Sequence, residues 1–181
     1  EEEYLAFERA SEFKHEYLNG EIFAMSGGSE EHILINANVV TALRTQLRGR
    51  PCKLYGSDMR VRVKPGGLYT YPDVSVVCGD AQLIRDSVSI LLNPTLIIEI
   101  LSPSTEAYDR GKKFELYREL ESLQEYVLIA QDRPQIEWYL RQEHGFWQFA
   151  AASGLNAEAA LASISCTLKL AEVYEQIEFP A

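Results

Sequence analysis

The sequence predicts a mixed α/β domain, and three observations carry that reading. Strand-length apolar runs recur, of which "LIIEIL" is the longest-buried in character; apolar residues elsewhere repeat at three- and four-residue steps; and the two patterns alternate along the chain. With 181 residues, 46% hydrophobic and 24% charged, a single domain over 1–181 with its own core is expected.

The elements follow in order. A short helix is predicted over 3–11, then a hairpin in "KHEYLNGEIFAMS", where Asn19-Gly20 separates two short runs as a two-residue turn does. Ser29 reads as a helix cap, and Ile33, Ala37, Val40, Leu43 and Leu47 as the apolar stripe of a helix ending at Gly49. "CKLYGS" and "MRVRVKPGG" read as strands; in the second, Val61 and Val63 alternate with Arg60, Arg62 and Lys64, giving one buried and one cationic face. "YTYPDVSVVCGD" reads as a strand entered at Pro72, and 81–93 as a connector with room for a helical turn. After the Glu99 strand, which Pro103 ends, come a helix regular over 109–120, the strand "EYVLIAQ", a second hairpin turning at Glu143-His144-Gly145, and a last helix over 171–176.

Net charge is -10, which weighs against a polyanionic partner for the chain as a whole. The segment 44–64 reverses that sign, with Arg44, Arg48, Arg50, Lys53, Arg60, Arg62 and Lys64 against Asp58, and could position a phosphate backbone. Asp58 reads as a salt-bridge partner of those cations. No apolar run approaches the ~20 residues of a membrane span, and "EEEYLAFERA" is too acidic for a signal segment. Cys52, Cys78 and Cys166 form no C-x-x-C pair, so they read as reduced core thiols, and a cytoplasmic setting is expected.

Within "NPTLIIEILSPST", Glu99 shares a strand face with Ile97 and Leu101, and an ionised carboxylate there needs a partner. Asp73, opening "PDVSVV", can face the same way if the two strands are neighbours. Two inward carboxylates repel, and a divalent cation such as Mg²⁺ removes the repulsion. Phosphoryl chemistry also wants a positive group where charge builds up. Lys113 shares its helix face with Leu116, Tyr117 and Leu120, whereas Lys112 shares its face with Glu115 and Glu119, so Lys113 is the inward one.

"YPDVSVV", "PTLIIEILSPST", "YDRGKKFELYRELESLQEYVLI" and "LNGEIFAMSGGSEEH" together resemble the PD-(D/E)XK nuclease superfamily. The resemblance narrows to its Uma-type restriction-endonuclease group, abundant in cyanobacteria, and covers nearly the whole chain. It implies a restriction-endonuclease-like mixed central β-sheet flanked by helices, with N- and C-terminal hairpins. It also implies Asp73, Glu99 and the backbone carbonyl of Ile100 as metal ligands. The superfamily lysine two residues after the glutamate is Leu101 here; the group's displaced lysine matches Lys113. Glu21 and His32 match the group's pattern as well, Glu21 as an additional catalytic carboxylate, and so do Tyr108 and Asp109.

The activity so implied is hydrolysis of DNA phosphodiester bonds with Mg²⁺, or Mn²⁺ in its place, by Asp73, Glu99, Lys113 and Glu21. A homodimer is expected for cutting two strands, with the hairpin aromatics Trp138, Tyr139, Phe146, Trp147 and Phe149 as core or dimer surface. The competing reading is a catalytically silent module of the same fold that binds nucleic acid or dimerises. A carboxylate-pair hydrolase acting on sugars is the weaker third.

Overall fold

Asn19 and Gly20 take φ of 48° and 101°, the positive-φ pair that a two-residue turn between antiparallel strands requires. They join β1 (His15–Leu18) to β2 (Glu21–Ala24), and α1 (Glu2–Ala10) packs ahead of them. The computed structural model describes residues 1–85 and 89–179. α2 (Glu30–Gln46) opens at Ser29, whose hydroxyl accepts from the His32 N–H at 3.3 Å. There follow β3 (Cys52–Gly56), β4 (Arg60–Arg62), β5 (Leu68–Thr70), β6 (Val74–Cys78), β7 (Leu83–Ile84), β8 (Ile90–Leu91) and β9 (Leu96–Leu101). The second half runs through α3 (Glu106–Tyr108), a π-helical turn (Asp109–Lys113), α4 (Phe114–Tyr117), β10 (Glu125–Ala130), β11 (Gln135–Arg141), β12 (Trp147–Ser153), β13 (Glu158–Leu161), β14 (Cys166–Lys169) and α5 (Leu170–Val173).

The expected mixed central sheet has the order β12-β11-β10-β9-β6-β3, with β9 and β10 parallel and the other neighbours antiparallel. Leu96, Ile98 and Ile100 of β9 pack against Ile35, Val39 and Leu43 of α2. On the opposite face, Ile97 and Leu101 meet Leu116, Tyr117 and Leu120 together with Val61 and Leu68. Those last two belong to a second six-stranded sheet, β2-β1-β5-β4-β8-β7. Its strands are two to four residues long, too short to carry a readable period. Glu99 therefore faces the seam between two sheets.

Several expectations are corrected. Of the expected stripe Leu43 and the capping Leu47 are buried, but Ile35 and Val39 complete it in place of Ile33, Ala37 and Val40, and Ile33 is 59% exposed. The helix is apolar on more than one face, so its sequence fits either stripe, and the sheet decides between them. Cys52 and Cys78 are not reduced thiols: they pair in register across β3 and β6 and form a disulfide, leaving Cys166 buried and free. Spacing along the chain says nothing about which strands adjoin, and the redox argument for a cytoplasmic setting falls with it. The strand expected to be entered at Pro72 is β6, which opens at Val74; β5 is a separate short strand ahead of it, and β13–β14 form a further hairpin. In 81–93 the described residues form β7 and β8 rather than a helical turn; residues 86–88 lie outside the described ones. Among the described residues no helix is long and apolar enough to cross a membrane.

Two outcomes test this architecture. Leu43→Ala is expected to cost about 2–5 kcal/mol in chemical denaturation, while Ile33→Ala stays within about 0.5 kcal/mol; the reverse order would return the stripe to Ile33. Denatured without reductant, the protein should titrate one thiol, that of Cys166, and three after reduction.

Candidate active site

β6 and β9 run antiparallel with Val74 opposite Ile98 and Ser75 opposite Ile97, so one further step of the register sets Asp73 opposite Glu99 on the same face. β6 begins only at Val74, and the Asp73 side chain takes over where its backbone pairing stops: Oδ2 accepts the Ile100 N–H at 2.7 Å. In extended backbone the N–H and C=O of a residue leave on one side, so the Ile100 carbonyl is directed toward Asp73 as well. Oδ1 of Asp73 meets His32 Nε2 at 2.9 Å, and Asn36 Nδ2 donates to the Asp73 carbonyl at 3.2 Å. The first turns of α2 thus fix the aspartate. Gly28 makes room for that contact, since a Cβ there would lie 2.8 Å from the His32 ring.

Lys113 is buried, and its ammonium lies 3.0 Å from Glu99 Oε1, 3.1 Å from Glu16 Oε1 and 3.4 Å from Asp109 Oδ1. Three N–H donors meet three carboxylates. Tyr117 donates to the same Glu99 Oε1 at 2.7 Å, and Thr70 donates to Glu16. The expected regular helix is interrupted here: the π-turn carries Asp109 and Lys113 on its inner side, an irregularity often found at functional positions. Lys112 points outward and pairs with Glu115 at 3.1 Å. The helical-face reading of the two lysines therefore holds.

Burial pushes the Glu99 carboxyl well above its ordinary range; Lys113 opposes the shift, while Asp109 and Asp73 add to it. Burial works against the Lys113 ammonium, yet Glu99, Glu16 and Asp109 outweigh it and hold the proton in place. Burial likewise raises Asp109, against Lys113 and the Thr105 hydroxyl. His32 is raised by its hydrogen bond to Asp73, with burial opposing. Burial is thus the largest influence on Glu99 and Asp109, and the Lys113 ammonium offsets only part of it.

Asp73, Glu99, Ile100, Lys113, Glu16 and Asp109 line one cavity of about 420 Å³, walled by Phe23, Met25, Tyr71 and Tyr108. Tyr71 is locked from behind, donating to Glu8 Oε1 at 2.7 Å and accepting from Arg60 Nε at 2.8 Å. Glu21 does not line this cavity; it opens the edge strand β2 and is exposed. The carboxylate the hairpin delivers is Glu16, on the inner strand. The basic segment 44–64 is also dispersed. Arg60 is buried against Tyr71 and Glu8, Arg50 donates to the carbonyls of Ile164 and Ser165, Arg62 approaches Glu1 and Lys64 pairs with Glu119. Asp58 pairs with Lys14 instead. In the second hairpin Tyr139 and Trp147 pack on Phe114, while Phe146 and Phe149 are exposed.

Among the described residues no group of three His, Cys, Asp or Glu side chains is arranged to hold an ion by itself. The donors at hand are two carboxylates and one carbonyl, which suits an ion that completes its shell with water and substrate oxygens, as Mg²⁺ does. The surplus of negative charge around Lys113 fits a divalent cation as well.

A family model described as "Uma2: Putative restriction endonuclease" matches residues 1–171. Two uncharacterized proteins of Synechocystis are similar to the chain. One, slr1290, is 37% identical over 182 residues, with 98% of this chain and 92% of the relative covered. The other, sll1609, is 34% identical over 156 residues, covering 86% and 88%. Among solved structures, that of "a putative nuclease belonging to DUF820" from Anabaena variabilis has a TM-score of 0.72 at 19% identity over 93% of both chains, which shows a shared fold.

Removing the central ammonium while leaving its carboxylates buried should be costly. Lys113→Met is expected to lose about 3–5 kcal/mol in urea denaturation, against no more than about 0.5 kcal/mol for Lys112→Ala. Equal losses would contradict the placement of the two side chains.

Proposed function

We propose, from the premise that this chain belongs to the Uma2 family of putative restriction endonucleases, that it hydrolyses DNA phosphodiester bonds with Mg²⁺, or Mn²⁺ as substitute. One observation carries the reading: Asp73, just before the strand that pairs with β9, lines one cavity with Glu99, and Lys113 contacts Glu99. Asp73, Glu99 and the carbonyl of Ile100 would hold the ion. Bound there, it would lower the pKa of water and offset the charge of the phosphate.

The chain's own groups do the rest. His32 and the Ile100 N–H fix the Asp73 carboxylate, and each of its oxygens keeps a further lone pair. Lys113 and Tyr117 both engage Oε1 of Glu99, so Oε2 is the oxygen that would face the ion. Lys113 opposes the effect of burial on the Glu99 carboxyl and, from the wall of the cavity, orients the attacking water or offsets the charge that builds on the phosphate. Cutting both strands of a duplex takes two copies, and the exposed Phe146 and Phe149 offer a symmetric contact. One observation favours a silent module instead: the Lys113 ammonium is already engaged by three carboxylates.

Purified protein is expected to cleave plasmid and oligonucleotide DNA in Mg²⁺ or Mn²⁺ and to stop on chelation. Asp73→Ala and Glu99→Ala should lose both cleavage and Mn²⁺ binding. Lys113→Gln should lose cleavage by ~10²-fold or more, with Lys112→Ala like wild type. Undiminished Mn²⁺ binding in both carboxylate variants, or no cleavage under any of these conditions, would return the silent module.

A further inference from the structure

A second groove, of about 550 Å³, adjoins the first cavity at His32 and Asp73. It shares His32, Tyr71, Asp73 and the Met25–Gly28 loop with the cavity that holds Lys113, so one chain could run through both. Two large apolar side chains on it are uncovered: Phe13, 72% exposed, and Ile33, 59% exposed. Nothing in core packing requires them there. Asn36 and Ser57 add neutral hydrogen-bonding groups.

The groove does not suit a duplex. Gripping two phosphate backbones takes rows of Lys and Arg, yet the cations lining the two cavities are Lys14, Lys113 and His32, each already paired with a carboxylate. Arg44 lies farther along the axis of α2, roughly 18 Å from His32 at ~1.5 Å per residue, and Arg48 lies past the end of that helix. An exposed aromatic face on a groove that adjoins the acidic cavity supplies the stacking platform on which an unpaired base is held, and a single strand brings one phosphate backbone rather than two. We propose that this groove is a subsite for one unpaired nucleobase of the substrate strand, next to the phosphate that is cut, with Phe13 as its stacking platform. The inference rests on the nuclease reading and narrows its substrate to a strand that is single or locally unpaired at the cut.

Fluorescence anisotropy with a labelled single-stranded oligothymidylate tests it, with Ca²⁺ present as a hard cation for the same oxygen ligands. A blunt oligodeoxyadenylate–oligothymidylate duplex of the same length is the comparison. Wild type should bind the single strand at least about tenfold more tightly than the duplex. Phe13→Ala should weaken single-strand binding about tenfold, and Phe13→Trp should restore it. Equal binding of duplex and single strand, or no effect of Phe13→Ala, would overturn the subsite. Self-association that Phe13→Ala abolishes, without oligonucleotide binding, would assign the groove to a second copy and overturn it too. Cleavage in Mg²⁺ separates the two readings. Loss of binding in Phe13→Ala with no cleavage by wild type keeps the subsite and removes the nuclease; cleavage of duplex and single strand alike, untouched by Phe13→Ala, does the opposite.

Discussion

The Lys113 ammonium ties together parts of the chain that have no other reason to meet. Glu16 comes from the second sheet, Glu99 from the central one and Asp109 from the π-turn, and all three carboxylates converge on one buried nitrogen. Taking such charges out of water is costly, and the cost is offset only when every contact forms at once. The cluster therefore works as a register pin more than as a source of stability: a sheet displaced along the seam would strand a carboxylate in an apolar interior. Tyr117 and Thr70 add neutral donors that narrow the geometry further.

The same pin leaves negative charge unbalanced, and the strand ends put that imbalance to use. β6 stops one residue short of Asp73, so a side chain rather than backbone satisfies Ile100, and an aspartate is held beside a glutamate it would otherwise avoid. Both acidic side chains are themselves tethered, Asp73 by His32 and Glu99 by Lys113 and Tyr117.

Much of this was legible in the residues because it rests on local patterns. Asn19-Gly20 carries its turn in its own backbone preferences, and β9 declares its two faces by alternation, with Glu99 on the face the structure gives it. The choice of Lys113 over Lys112 needed only helical phase. What failed depended on partners far away in sequence. Glu16 and Glu21 flank one turn, and only the pairing of β1 with β5 decides which strand is inner. Arg60 sits at a position that alternates with Val61, but a buried Glu8 and Tyr71 draw it inward. The π-turn has no sequence signature of its own, and its wider coil becomes visible only with the contacts it serves.

The Cys52–Cys78 bond ties the outermost strand of the central sheet to β6. Edge strands are where sheets ordinarily begin to peel. A covalent stitch at this border makes loosening one-sided: disorder entering the layer must start from the opposite border, at β12, and cross β11, β10 and β9 before it reaches the ribbon that ends in Asp73. Heat or mechanical load would thus erode the aromatic hairpin first and the acidic centre last.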